Sequence, residues 1–325
     1  MNLGMICRGD NSGLGTLSWE FARHLKPKKV LLVENGVFQI FPERYKDFEV
    51  TRPQFKINYD WLNGLDVLFA IETFYDWTLV KETRARGIKT VLMTMVEMTL
   101  DPLPYIPDVL LCPSKLDYET FKDFGAEIVY LPIPLAEDRL IWKERKKVKT
   151  LIHSGSHSGM GGRKGTQLLL DALKHAQSDF KLIIYTWKQF QANDPRVEVQ
   201  QVNFKNYWQL WREGDVLVYP QGANGICLPI VEAMASGLGV ITTDIFPFNE
   251  YMPKELLFKP SGFRKVRMGA RLREVEDPIL DPKILAEKID EVVSKNDLQE
   301  VSNYGRMYGE NHSWEKLLPD YLKVL

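Results

Sequence analysis

The chain is poor in cysteine, in histidine and in net charge, and each shortage argues against a class of function. Its three cysteines, Cys7, Cys112 and Cys227, are odd in number and far apart. Neither a disulfide framework nor zinc-ligand spacing is therefore expected, and the compartment reads as reducing. Five scattered histidines form no HExxH pair, so no metal site is expected. Lys and Arg number 42 against 43 Asp and Glu, a formal charge of -1. That balance argues against a polybasic coat for nucleic acid or membrane and leaves only local patches. No apolar run approaches the ~18 residues that a membrane span needs. The start, MNLGMICRGD, has no basic region followed by a long apolar stretch, so no signal peptide is expected and the location reads as cytoplasmic.

What is present is an ordinary globular composition, 45% hydrophobic and 26% charged, over 325 residues. That length suits two domains of about 150 residues. Short apolar, β-branched runs alternate with amphipathic stretches. NLGMIC, KVLLV, LDVLFAI, KTVLMTM, DVLLC and EIVYL read as strands, followed after a charged break by KTLIHS, FKLIIY, VEVQQV, DVLVY and GVITT. Leu14, Leu17, Phe21 and Leu25 fall on one helical face, as do Leu168, Leu169, Ala172 and Leu173. This alternation predicts an α/β chain of two doubly wound, Rossmann-like domains, each a parallel sheet with helices on both sides. The break, near residues 138–149, contains KERKKVK and reads as a charged linker. The tail, NHSWEKLLPDYLKVL, reads as a closing helix capped by Ser313, with a kink or break at Pro319.

Three segments would carry chemistry. RGDNSGLGT follows the first strand, and its Gly13 and Gly15 read either as a phosphate-approaching turn or as packing glycines. The segment is not GxGxxG, so a dinucleotide site is poorly supported. HSGSHSGMGGRKGTQLLLDAL begins the second half and places Arg163 and Lys164 on a glycine-rich loop at a helix start, an arrangement suited to a diphosphate. The plainer reading is an exposed loop with solvated charges. YPQGANGICLPIVEAMASGLGVITTD leads from a strand through a loop into an apolar helix carrying Glu232, which would accept hydrogen bonds from ribose hydroxyls or simply cap the helix.

That third segment resembles the donor-binding stretch of retaining glycosyltransferases of family 4, which reads approximately P-S-x-x-E-G-F-G-L-P-x-x-E-A-M-A. The aligned letters here run from Pro220 to Ala235. Glu232 matches the second glutamate of the family's paired motif, and Asn224 stands where the first, donor-sugar-facing glutamate is usual. Asn224, Gly225 and Ile226 would then line the donor, with Asn224 as an uncharged hydrogen-bonding group. RKGTQLLLDAL is similar to the family's phosphate-binding segment, with Lys164 on its lysine and Arg163 or His157 in place of an arginine that is absent. The N-terminal third, with RGDNSGLGT and GIKTVLMTMVEM, looks most like bacteriophage-encoded glycosyltransferases.

The resemblance implies a GT-B arrangement with an interdomain cleft. Residues 1–140 would be an acceptor-side domain onto which a helix at about 310–325 packs back, and residues 146–305 a nucleotide-sugar donor domain. It implies a metal-independent, retaining hexosyl- or pentosyltransferase that needs no cofactor beyond its co-substrate, a UDP- or GDP-sugar. On the acceptor side, Glu97 and Glu72 follow strands and would orient or deprotonate a hydroxyl, with Asp10 and Asn11 beside them. His153 reads as a buried, hydrogen-bonded histidine, and Phe248, Asn249 and Glu250 as a candidate sugar contact. Trp61, Tyr75 and Trp77 read as core or as an acceptor platform. Arg264, Lys265, Arg267, Arg271 and Arg273 lack an acid among them. They would contact DNA if a hydroxymethylated base in phage DNA were the acceptor, in which case the enzyme would work in the host cytoplasm. The plainer reading is a solvated loop balanced by the acids of EVEDPILD. A sugar-nucleotide hydrolase or epimerase, or a non-catalytic nucleotide-sugar binding protein, remains an alternative on the same fold.

Overall fold

The computed structural model describes residues 1–34, 39–53, 57–156, 164–202, 204, 206–268 and 273–325. The chain divides into two compact units, one centred on Met1–Pro134 with Trp314–Leu325, the other on Leu135–Arg267 with Glu274–Ser313.

The first unit contains β1 (Leu3–Arg8), α1 (Gly13–Leu25), β2 (Lys29–Val33), β3 (Glu49–Thr51), β4 (Val67–Ile71) and α2 (Thr78–Ala85). It continues through β5 (Lys89–Met93), β6 (Val109–Cys112), α3 (Lys115–Phe121) and β7 (Glu127–Tyr130). The strands form one sheet in the order β3-β2-β1-β4-β5-β6-β7, parallel at every pairing. Both faces are covered, which explains why its strands are continuous apolar runs rather than alternating ones. Leu68, Ala70, Leu92 and Leu110 pack with Leu79 and Val80 of α2 and Phe121 of α3. On α1, Phe21 meets Phe69 of β4 at 5.5 Å between ring centroids.

The second unit contains β8 (Thr150–Ser156), α4 (Thr166–Leu173), β9 (Lys181–Thr186), β10 (Val197–Gln201), β11 (Val216–Tyr219) and α5 (Leu228–Ala235). After these come β12 (Gly239–Thr243), α6 (Phe248–Tyr251), β13 (Leu257–Phe258), β14 (Gly262–Met268), β15 (Arg273–Ile279), α7 (Pro282–Lys295) and α8 (Gln299–Asn311). Its parallel sheet has the order β10-β9-β8-β11-β12-β13. The period of two sends Ile152, Leu217 and Val240 to the face covered by α5. The intervening Leu151, Val216, Val218 and Ile241 go to the face covered by α4 and α7.

The last helix, α9 (Trp314–Val324), belongs to the first unit. Trp314 and Tyr321 stand edge-on to Phe21 at 4.8 and 5.1 Å, and the Tyr321 hydroxyl donates to the Pro132 carbonyl at 2.8 Å. Lys89 Nζ closes the far end on the Val324 carbonyl at 2.6 Å. Each fully buried aromatic here is worth about 1.5–3 kcal/mol relative to exposure. The helix runs through Pro319 without the break its sequence suggested. Proline removes one i to i−4 bond, and the aromatic anchors on either side hold the remaining turns.

Two expectations need correction. The described residues of FRKVRMGARLR are not a loop: they lie in β14 and, at Arg273, in the first position of β15, which pairs with it. The KERKKVK break is not solvated throughout: Lys143, Glu144, Lys146, Lys147 and Lys149 are exposed, but Arg145 is only 4% exposed and bonded within the second unit.

Candidate functional site

In a doubly wound sheet, ligands bind beyond the carboxyl ends of strands where the strand order reverses. In the second unit that point lies between β8 and β11. The loop after β8 ends in Lys164 and Gly165, and the loop after β11 runs from Pro220 to Cys227. The two segments whose sequences pointed to a diphosphate and a ribose therefore leave adjacent strands at one sheet edge.

His153 fixes this junction. It is fully buried on β8, with Nδ1 2.8 Å from the Val218 carbonyl and Nε2 2.8 Å from Thr166 Oγ1. A carbonyl can only accept, so Nδ1 carries the proton and Nε2 accepts from the threonine hydroxyl. One neutral imidazole thus ties β8 and β11 to the first residue of α4, directly after Lys164 and Gly165. Lys164 Nζ lies 5.9 Å from the Tyr219 ring centroid, within cation–π range.

Gly165 is required twice over. Its φ is +73°, and a Cβ there would lie 2.2 Å from the Pro220 carbonyl oxygen. Gly165→Ala is expected to destabilise the second unit by about 2–4 kcal/mol, combining the left-handed penalty with a backbone clash. Urea unfolding measures it, and a loss under about 0.5 kcal/mol would mean that the two loops are not held together.

In the β11 loop, Asn224 Oδ1 accepts from the Gly225 N–H at 2.9 Å. Cys227, where the resembling pattern has glycine, adopts φ +55° and precedes α5. Glu232 is 8% exposed, and its Oε2 accepts from Trp211 Nε1 at 3.2 Å. The Tyr251 hydroxyl holds the Ile226 carbonyl at 2.7 Å. Gln221, overlooked in the sequence, is 1% exposed with Oε1 lacking a hydrogen-bond partner in a loop otherwise well bonded. Its signal was its place beside Pro220, where the pattern has serine.

The β14–β15 hairpin buttresses this loop. Asp277 Oδ1 accepts from Ala223 N at 3.1 Å, and Asp277 Oδ2 from Arg264 Nη2 at 2.9 Å. Lys265 pairs with Glu274 at 3.0 Å. Two cations of the proposed DNA-binding run are thus matched by acids of the facing strand. Arg267 is exposed on β14, while Arg271 and the side chain of Arg273 lie outside the described residues. A cleft of about 480 Å³ opens here, lined by Gly165, Pro220, Gly222, Arg264 and Asp277. His157 and Arg163 also lie outside the described residues. Phe248 is fully buried in the core, so of its trio only Asn249 and Glu250 reach the surface.

In the first unit the strand order reverses between β1 and β4. Asp10, after β1, is 1% exposed, accepts from Arg8 Nε at 2.8 Å and from Ser12 N at 2.9 Å, and so acts as a brace. Asn11 is half-buried beside it. Gly13 opens α1 with free space around it, whereas a Cβ on Gly15 would lie 2.1 Å from the Asp10 carbonyl oxygen. Gly15 therefore fits the packing reading. Glu72, after β4, has φ +66°, and its N–H donates to the Met93 carbonyl at 2.9 Å. Glu97, in the turn after β5, buries Oε2 without a hydrogen-bond partner. Trp61 is core, whereas Tyr75 is 41% exposed.

Glu97 has a neighbour that the sequence reading missed, although the S-x-x-D spacing of a capping box marks it. Asp117 is fully buried; its N–H donates to Ser114 Oγ at 3.0 Å, and its carboxylate accepts from the Ser114 hydroxyl and from Thr94 Oγ1 at 3.4 Å. Burial, with the Glu97 charge nearby, pushes its carboxyl up to about 7, against the hydrogen bonds from Ser114, Val96 and Thr94. Burial holds His153 down at about 4, with Lys164 adding to the effect and the Val218 carbonyl opposing it.

These two groups give the units opposite responses to acid. His153, at 6.5 when unfolded, contributes stability that is complete above pH 6.5 and is lost as pH falls toward 4. Asp117, at 3.8 when unfolded, contributes stability that is complete below 3.8 and is lost as pH rises toward 7. Going from about pH 7 to about pH 5 is expected to weaken the second unit and strengthen the first, by about 2 kcal/mol each. Amide exchange corrected for its intrinsic pH dependence resolves the units, and changes of the same sign in both would contradict the assignment.

Residues 148–264 match the family described as Glycosyl transferases group 1, a span that contains the whole β8–β11 site. No curated protein matches the chain. In structure it resembles a glycosyltransferase from Rickettsia africae, with 12% identity, TM-score 0.71, and 99% of this chain and 97% of that one covered. It also resembles Anabaena HepE in complex with UDP-glucose, with 11% identity, TM-score 0.72 and 99% of each chain covered. A third is sucrose-phosphate synthase from Thermosynechococcus elongatus, with 12% identity, TM-score 0.64, and 99% and 97% covered. At these identities the likeness establishes the fold: two parallel-sheet, Rossmann-like domains of the GT-B type. Among the described residues no helix is long and apolar enough to cross a membrane, and no group of His, Cys, Asp and Glu could hold a metal ion.

Proposed function

We propose that the chain is a glycosyltransferase that moves a sugar from a nucleotide-diphosphate donor to an acceptor hydroxyl, with the donor on the second unit. The observation that carries this reading is the junction at the second sheet's reversal point. There His153 joins the Lys164–Gly165 turn to β11, beside the loop that leads to Glu232. The family match over residues 148–264 covers that junction and supports the same reading.

As the anomeric bond breaks, negative charge develops on the departing diphosphate. Lys164 and the N–H groups at the start of α4 would stabilise it. Glu232, oriented by Trp211, would accept hydrogen bonds from the ribose. Asn224 offers its amide N–H₂ to donor-sugar hydroxyls while its oxygen is held by Gly225. Retention of configuration, independence from metal and transfer of a hexose or pentose belong to the proposal on the sequence resemblance alone. A DNA base is the less favoured acceptor, because Arg264 and Lys265 are matched by Asp277 and Glu274.

The test incubates the chain with UDP- and GDP-sugars, with and without acceptors, and follows nucleotide release and product mass. UDP-glucose is the first donor to try, because a structural neighbour is described in complex with it. Acceptor-dependent release supports transfer. Equal release without acceptor would identify a hydrolase, and tight donor binding with no turnover a binding protein.

A further inference from the structure

The first unit holds a cavity of about 1150 Å³ beyond the carboxyl ends of β2 and β4, lined by none of the residues assigned above to the donor. Its chemistry is mixed in a particular way. Tyr75, Trp77 and Tyr105 supply aromatic surface, while Glu34, Arg52 and Asp76 supply polar groups. Tyr75 and Tyr105 are 41% and 39% exposed, and Trp77 is half-buried against the core, edge-on to Phe74 at 5.4 Å. Leaving two tyrosines uncovered beside a cavity forgoes the burial their rings would otherwise gain.

The polar groups are hydrogen-bonded within the unit. Asp76 Oδ2 accepts from the Tyr59 hydroxyl at 2.9 Å and Oδ1 from the Thr78 N–H at 3.0 Å. Arg52 Nε donates to Glu34 Oε1 at 3.0 Å. The segment between β4 and α2 also holds two non-glycine residues with positive φ, Glu72 at +66° and Tyr75 at +62°. Such backbone persists where the surroundings enforce it and concentrates at ligand sites. The Arg8 guanidinium, bonded to Asp10, lies near the Tyr75 hydroxyl.

These features select among ligand classes. Among the described residues, the lining's carboxylates are Glu34 and Asp76 and its guanidinium is that of Arg52, which is already bonded to Glu34. Among the described residues of this lining, a phosphate-rich ligand would find no uncommitted cation. An acyl chain would bury charged groups against hydrocarbon, which is strongly unfavourable. A pyranose ring suits both halves of the lining. Its C–H face lies on aromatic rings, and its hydroxyls donate to fixed carboxylates and accept from a guanidinium.

We propose that this cavity is a subsite for an uncharged sugar, with Trp77 and Tyr105 as platforms and Asp76 and the Glu34–Arg52 pair as hydroxyl partners. As the acceptor's place it rests on the transferase reading; as a sugar site it stands on its own lining.

The experiment uses the full chain. Binding of methyl glucoside, methyl galactoside, methyl mannoside, maltose and lactose is followed by saturation-transfer NMR, with heparin and duplex DNA as polyanion probes. UDP-glucose binding is measured separately by calorimetry. At least one neutral glycoside is expected to bind. Trp77→Ala and Tyr105→Ala should each weaken it at least ~10-fold, the equivalent of 1.4 kcal/mol, and Asp76→Asn should weaken it measurably. UDP-glucose affinity should not change. The proposal is overturned if no glycoside binds, if binding survives the Trp77→Ala, Tyr105→Ala double variant, or if only polyanions bind. Failure of wild-type protein to bind any nucleotide sugar would overturn the donor reading instead, and leaves the glycoside result to stand or fall by itself.

Discussion

Replacing Lys164 by alanine is expected to lower the rate of sugar transfer about 100- to 1,000-fold, the range found when one donor to a developing anion is removed. The lysine follows the glycine-rich loop and precedes Gly165, whose left-handed backbone is pressed against Pro220. Its ammonium is near the Tyr219 ring, at the sheet's reversal point and next to the start of α4. A bound diphosphate already carries charge, so part of the loss should appear as a higher KM for the donor. The larger part should fall on kcat, because the leaving oxygen gains charge only as the bond breaks. Lys164→Arg should recover only part of the rate, since a planar fork replaces a compact charge. Lys164 is half-buried on a loop, so the thermal midpoint should hardly move. Steady-state kinetics with UDP-glucose and a turned-over acceptor checks this. A rate within about 3-fold of wild type would remove Lys164 from the leaving-group site.

Much of this architecture was legible because the physics is local. TLIHS and VLVY are β-branched runs bounded by turn residues, and they became β8 and β11. Glycines beside Arg163 and Lys164 marked the helix entry for the same reason. What escaped depends on partners distant in sequence. β3 is a three-residue edge strand, too short for a period. β14 and β15 expose most of their residues and are joined by Arg264–Asp277 and Lys265–Glu274, pairs invisible to a pattern read along one strand. His153 could be read as buried, but its role as a tie needed the positions of Val218 and Thr166. Asp117 lay within a readable capping-box spacing, yet its closeness to Glu97 follows from β5 and β6 being neighbours in the sheet.

The KERKKVK segment shows where a charge-based reading holds and where it misses: Lys143, Glu144, Lys146, Lys147 and Lys149 are exposed, and Arg145 is not. Six of its seven residues are charged, so it reads as solvent-facing. Yet Arg145 donates to the carbonyls of Lys143 and Ser236 at 2.6 Å each, of Trp211 at 3.1 Å, Gly214 at 3.3 Å and Arg212 at 3.4 Å. The guanidinium thus meets five main-chain acceptors, four of them at the turns before β11 and after α5. Gly237, at φ +90°, leaves room for the segment: a Cβ there would lie 2.2 Å from the Lys143 carbonyl oxygen. Burial pulls the Arg145 guanidinium below its ordinary value, and the charges of Asp215 and Glu213 oppose that shift. Arg145→Ala is expected to cost the second unit about 3–5 kcal/mol, as when a buried charged group is removed from its partners. Arg145→Lys should lose part of this, because an ammonium has three donors for five acceptors. Exposed Lys147→Ala should stay within about 0.5 kcal/mol of wild type. Denaturant unfolding separates the three, and an Arg145→Ala curve overlying that of Lys147→Ala would refute the role. Trp211 carries the consequence further, since it accepts from Arg145 and donates to Glu232 at 3.2 Å. An Arg145 variant that still folds should therefore hold Glu232 less firmly and raise the donor KM while leaving Lys164 in place.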